Sequence, residues 1–168
     1  FVTGVGMDGV IETCIRVLIN PGDQVTISTT TFSYYGLSAA AQGGKVENLP
    51  RNQDFSVDIP SFISSARHAK ISFLCTPNNP SGTVTPISDI EEILESIDGI
   101  LFLDNAYVEF ASVDYRSLMN RYENLIIGRT MSKVFGLAGC RVGYAFVPEW
   151  FRPVYDKAAT PFTLNTIS

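Results

Sequence analysis

The sequence predicts an α/β fold built on a mainly parallel sheet. Residues 71–75 (ISFLC) and 100–104 (ILFLD) are continuous apolar runs of strand length, the pattern of strands covered on both faces. Segments of helical periodicity alternate with them. A glycine-rich turn, Phe32, Asn79, Asp104, Tyr107 and Thr130-Met131-Ser132-Lys133 all follow strand ends. That carboxyl edge is where open parallel sheets hold ligands. With 168 residues the chain suffices for one domain with a sizeable core.

Composition narrows the function classes. A net charge of −5, with no basic stripe beside it, argues against nucleic acid as a partner. No apolar run approaches membrane length and no signal-peptide pattern opens the chain. Cys14, Cys75 and Cys140 have no zinc-ligand spacing and read as small buried hydrophobes in a reducing cytoplasm. His68 is the single histidine, so a His dyad or a His-rich metal site is excluded; it is expected at an exposed helix end. The chain opens on Phe1 rather than Met, which suggests a piece of something longer.

In chain order, residues 1–3 read as a strand entering the turn Gly4-Val5-Gly6-Met7-Asp8-Gly9. Val10, Ile11, Cys14, Ile15 and Leu18 recur at helical spacing, and Pro21-Gly22-Asp23 stops that helix. The turn matches G-x-G-x-x-G, and its strand–turn–helix setting suits a phosphate at a helix start. A dinucleotide fits less well, because residues 24–28, the next strand, end in Ser rather than in a ribose-binding acid. A helix follows from Thr31 to Ala41, with Phe32 at its mouth either stacking on a flat ring or packing in the core. Residues 45–49 form a short strand, and residues 60–66 a helix with Phe62, Ile63 and Ala66 on one face.

After the apolar strand at 71–75 comes Thr76-Pro77-Asn78-Asn79-Pro80-Ser81-Gly82. Ser88-Asp89-Ile90-Glu91 reads as a capping box for a helix whose stripe is Ile90, Ile93, Leu94 and Ile97. The strand at 100–104 ends in Asp104, an acid that a buried strand needs a reason to carry. Residues 125–129 form a further strand leading to Lys133, and residues 142–147 a last one, followed by a helix from Pro148 to about Lys157. A lysine among glycine, alanine and apolar groups has little water to hold its charge, which lowers its pKa and frees its amine. Thr130, Ser132 and Arg141 close by suit a phosphate dianion. On this stretch alone a solvated loop lysine is an equal reading.

Together these motifs resemble a known family. Pro77-Asn78-Asn79-Pro80-Ser81-Gly82, Asp104-Asn105-Ala106-Tyr107, and Ser132-Lys133 with Leu137-Ala138-Gly139-Cys140-Arg141-Val142-Gly143-Tyr144 look like the fold-type-I pyridoxal-phosphate aminotransferases of class I/II. Gly6-Met7-Asp8, Thr31-Phe32-Ser33-Tyr34-Tyr35 and residues 159–165 are most similar to the histidinol-phosphate aminotransferase branch. The resemblance spans essentially the whole chain. Asn105 stands where the family usually has Glu, and Phe32 where many members have Tyr.

The resemblance implies a three-layer α/β/α sandwich with one antiparallel strand, the last, and pyridoxal 5'-phosphate as cofactor. Lys133 would be the Schiff-base lysine and proton carrier, Asp104 the partner of the ring nitrogen, and Tyr107 and Asn79 the partners of the ring's phenolic oxygen. Phe32 would stack on the ring. Met7, Asp8, Gly9, Thr130, Ser132 and Arg141 would hold the phosphate. The implied reaction moves an amino group between a small-molecule donor such as glutamate and an oxo acceptor. Residues 1–168 would then be the large cofactor-binding domain of a parent homodimer, without the family's N-terminal segment and C-terminal small domain. Such a piece is expected to be inactive or poorly active alone. Alternatives on the same scaffold are an aromatic aminotransferase, a phosphothreonine decarboxylase and a non-catalytic cofactor-binding module.

Overall fold

The computed structural model describes residues 1–167. Its centre is one sheet of seven strands: β1 (Val2–Val5), β2 (Gln24–Thr29), β3 (Lys45–Pro50), β4 (Ile71–Cys75), β5 (Ile100–Asp104), β6 (Leu125–Thr130) and β7 (Val142–Phe146). Their spatial order is β1-β7-β6-β5-β4-β2-β3. The pairs from β3 across to β6 are parallel, and β7 runs antiparallel to both β6 and β1. Phe1 lies just outside β1 and is exposed.

Helices α1 (Gly6–Leu18), α2 (Tyr34–Ala41) and α5 (Arg152–Ala158) cover one face, and α3 (Ile59–Ala66) and α4 (Ile87–Ser96) the other. The period of two along each strand divides the core accordingly. In β5, Ile100 and Phe102 join the cluster under α1 and α2, while Leu101 and Leu103 join the cluster under α3 and α4. In β6, Ile126 takes the first face and Leu125 and Ile127 the second. Both central strands are buried at every position, as their apolar runs predict.

The helices repeat their predicted stripes, with corrections at three ends: α2 begins at Tyr34 rather than Thr31, because residues 31–33 form a turn before it, and the ends of α4 and α5 also differ. Ser88 is not an N-cap. Helix α4 begins at Ile87 after Pro86, whose fixed φ of −57° sets the entry, so Ser88 falls inside the first turn and its hydroxyl bonds the neighbouring Asp89. A side-chain cap exists instead on α3, where Asp58 accepts the backbone N–H of Ser61 at 3.1 Å. Helix α5 is shorter than predicted, because Pro148 to Phe151 form a turn before it. Cys140 is half-buried, unlike Cys14 and Cys75, because it sits in a short 3-10 turn on an exposed loop. His68 is exposed just beyond α3.

Candidate active site

The carboxyl ends of β4, β5 and β6 and the start of α1 surround a cavity of about 270 Å³. Met7, Asp8, Phe32, Asn79, Asp104, Tyr107, Thr130, Ser132, Lys133 and Arg141 line it, together with Cys75 and Ala106. Of the predicted site residues only Gly9 is elsewhere: it faces Gly4 and Val5 on the sheet side of α1, and its carbonyl accepts the Thr13 hydroxyl. Cys75 and Ala106 carried no predicted role, although each adjoins a strand end that the sequence marks as the ligand edge.

The glycine-rich turn is built for contact between backbones. A Cβ on Gly143 would overlap the backbone of Gly6 and Met7, and one on Gly4 would lie 2.8 Å from the Val10 nitrogen. Glycine at these positions lets β1, β7 and the start of α1 close on one another. Gly6 has φ +64° and donates its N–H to the Arg141 carbonyl at 2.6 Å. Arg141 itself is left-handed at φ 52°, an uncommon conformation for a side-chain-bearing residue. That backbone turn directs its guanidinium across the α1 start, where Nη2 meets Asp8 Oδ2 at 3.1 Å. Thr130 is buried at the end of β6, and its hydroxyl oxygen accepts the Ser132 N–H at 3.1 Å.

Asp104 lines the cavity from the carboxyl end of β5 and is 2% exposed. Its Oδ1 accepts the Ala106 N–H at 2.8 Å, and its Oδ2 accepts the hydroxyl of Tyr35. Burial pushes its carboxyl up to about 6, against the lowering effects of Tyr35, the Ala106 N–H and the charge of Lys133. No ion pair reaches Asp104 among the described residues. An ionised carboxylate in this setting calls for a cationic or N–H partner from a ligand.

Lys133 departs from expectation in one respect: it is exposed, not desolvated. The small residues after it give it little cover, since residues 134–139 are exposed as well. Its ammonium lies 5.3 Å from the Tyr107 ring centroid. Phe32 is half-buried and meets Tyr35 edge-on, with centroids 5.5 Å apart. Asn78, beside Asn79, holds the loop, donating to the Thr30 carbonyl at 3.0 Å and to Ser81 Oγ at 2.8 Å. Asn105 is buried outside the cavity lining and donates to the Thr76 carbonyl at 2.8 Å, so this departure from the family pattern lies in the scaffold. Among the described residues no group of acidic, His or Cys side chains could hold a metal ion, and no helix is long and apolar enough to cross a membrane.

Comparison with known proteins places this geometry. Residues 1–168 match the family model described as aminotransferase class I and II. A histidinol-phosphate aminotransferase from Methanoculleus marisnigri is 64% identical over 168 residues, covering 100% of this chain and 48% of the relative. The chain thus spans about half the length of the curated relatives it matches. Among solved structures, a histidinol-phosphate aminotransferase from Sinorhizobium meliloti in complex with pyridoxal-5'-phosphate superposes with a TM-score of 0.85 at 28% identity, covering 92% of this chain and 44% of that one. The L-threonine-O-3-phosphate decarboxylase of Porphyromonas gingivalis has the same fold, with a TM-score of 0.85 at 23% identity, covering 99% of this chain and 50% of that one.

Proposed function

Because the chain belongs to the class I and II aminotransferases, we propose that it is the cofactor-binding large domain of a pyridoxal 5'-phosphate-dependent aminotransferase acting on histidinol phosphate. One observation carries the reading: the amine of Lys133, the buried acid Asp104 and the Thr130–Ser132–Arg141 cradle line a single cavity. The donor set suits the cofactor at both ends. Asp104 has no ion-pair partner among the described residues and can receive a ring N–H. Two hydroxyls, a guanidinium and the start of α1 can receive a phosphate dianion. Asp8, already paired with Arg141, keeps that guanidinium aimed across the helix start.

When bound, pyridoxal 5'-phosphate supplies an aldehyde and an electron-accepting ring. The chain's own residues do the rest. The exposed Lys133 Nζ is free to act as the amine nucleophile and then to carry a proton at the reacting carbon. Ionised Asp104, in no ion pair among the described residues, favours a protonated ring nitrogen. Tyr107 and Asn79 supply hydrogen-bonding groups on the same wall, and Phe32 an aromatic face. Amino donor and oxo acceptor are small molecules; glutamate and its 2-oxo acid are the proposed common pair.

The decarboxylase shares the scaffold, so the fold alone does not select the reaction. The 64% identity to a histidinol-phosphate aminotransferase supports that substrate. The first test is a visible spectrum of the chain mixed with pyridoxal phosphate, then of Lys133→Ala. A new absorption band in the wild type that disappears in the variant is the expected result. A band that survives Lys133→Ala would overturn the role of this lysine. For the substrate, histidinol phosphate should change the bound spectrum in the full-length protein; a response to phosphothreonine with release of carbon dioxide would instead establish the decarboxylase.

A further inference from the structure

Tyr35 belongs to no predicted role, yet it touches two walls of the site at once. It is 0% exposed, the first turn of α2 carrying it beneath Phe32. Its ring stacks on Phe73 with centroids 4.7 Å apart and planes 7° apart, and meets Phe32 edge-on at 83°. Its hydroxyl donates to Asp104 Oδ2. A buried hydroxyl with so specific a partner is costly to keep, since a phenylalanine would fill the same volume without a polar group to satisfy.

The Asp104 carboxylate has two oxygens and roughly four acceptor directions. The Ala106 N–H takes one on Oδ1 and Tyr35 one on Oδ2, which fixes the carboxylate plane while leaving capacity toward the cavity. The stack on Phe73 in turn fixes Tyr35, because Phe73 is itself fully buried in β4.

We propose that Tyr35 is a positioning residue of the cofactor site: its hydroxyl orients Asp104 toward the ring nitrogen of the bound group, and its ring edge sets the angle of Phe32. The inference rests on the pyridoxal-phosphate reading above. It assigns Tyr35 no contact with the cofactor. The groups facing Asp104 are Tyr35 from α2, the Cys75 thiol from β4, Lys133 from the loop after β6 and Asp8 from α1, with the Arg51 guanidinium acting on Cys75 and Tyr35 behind them. Loss of the Tyr35 hydroxyl removes a donor to the ionised form while Cys75, Lys133, Asp8 and Arg51 remain.

Two measurements test it. The first needs no cofactor: carbon NMR of labelled aspartate carboxyls, with Asp104→Asn identifying the signal, follows the Asp104 titration in the chain. Tyr35→Phe should raise the midpoint by about one pH unit. An unchanged midpoint overturns the proposal. If Tyr35→Phe does not fold, replacing Tyr35 with 3-fluorotyrosine retains the ring and makes the hydroxyl a stronger donor. The midpoint should then fall, and again no movement overturns the proposal. The second compares affinities for pyridoxal phosphate and for an analogue with carbon in place of the ring nitrogen. Tyr35→Phe should weaken the first about tenfold and the second less than about twofold. Equal weakening of both would make Tyr35 a packing residue only. If the wild type binds neither, it is the cofactor reading that fails, and the carboxyl titration still decides what the hydroxyl does.

Discussion

Asp104 shows how a single side chain can be both a cost to the fold and the reason for the site. Burial lifts its carboxyl to about 6, so the folded chain holds a proton there at a pH where the unfolded chain has released it. Between about pH 4 and pH 6 the folded state binds more protons, and stability therefore falls as pH rises through that window. The shift corresponds to about 3 kcal/mol at neutral pH. Urea unfolding of the cofactor-free chain at a series of pH values should show this loss, and Asp104→Asn should remove it from the difference between the two curves. A variant curve parallel to the wild type would mean that Asp104 titrates normally. This residue was legible in the sequence, because an acid ending an apolar strand needs a partner. Tyr35 was not: its partner is 69 positions away, and no local pattern announces it.

Elements differ in how their ends are held, and the difference can be measured. Asp58 caps α3 through the Ser61 N–H, whereas Ser88 lies inside α4 and bonds only its neighbour. Asp58→Ala should lower the thermal midpoint while Ser88→Ala leaves it in place. Equal effects would restore Ser88 as a cap. The junction of β7 with α1 depends on Gly143, where any side chain meets the backbone of Gly6 and Met7. Gly143→Ala should destabilise by about 3 kcal/mol, toward the upper end for overpacking, because backbone cannot rotate aside. It should also weaken phosphate binding, since the same junction carries Arg141 across the α1 start. Inorganic phosphate binding followed by calorimetry checks the second effect; an unchanged affinity would detach the cradle from this junction. The glycine spacing here was visible in the sequence, but it also matches a dinucleotide turn. Only the packing of β7 against it reveals which backbone the glycines admit.

At the scale of the molecule, one sheet joins two cores. Leu103 belongs to the core under α3 and α4, while Trp150, the single tryptophan, packs edge-on against Phe151 in the other. If the sheet couples them, the molecule unfolds as one unit. Leu103→Ala should cost about 3 kcal/mol and shift Trp150 fluorescence and far-ultraviolet circular dichroism by the same amount. Separate midpoints for the two probes would show that the faces unfold independently. The exposed loop at 134–139, which carries Val134, Phe135 and Leu137, explains why Lys133 is open to solvent rather than desolvated. The small and apolar residues of that loop suggest a dry setting for the lysine, but composition does not report what lies over a loop.

The order of strands and helices along the chain, their buried faces and most of the cavity lining are readable in the sequence. Those features follow from local periodicity and from the rule that strands in a parallel sheet deliver their ends to one edge. The tertiary fold sets the strand order β1-β7-β6-β5-β4-β2-β3, the place of the antiparallel β7 beside β1, and the contact of Tyr35 with Asp104. It also removed Gly9 from the cavity and brought in Cys75 and Ala106. Each of these depends on pairing between residues far apart in the chain. Side-chain period and turn chemistry repeat over a few residues only, and so carry no information about which distant surfaces will meet.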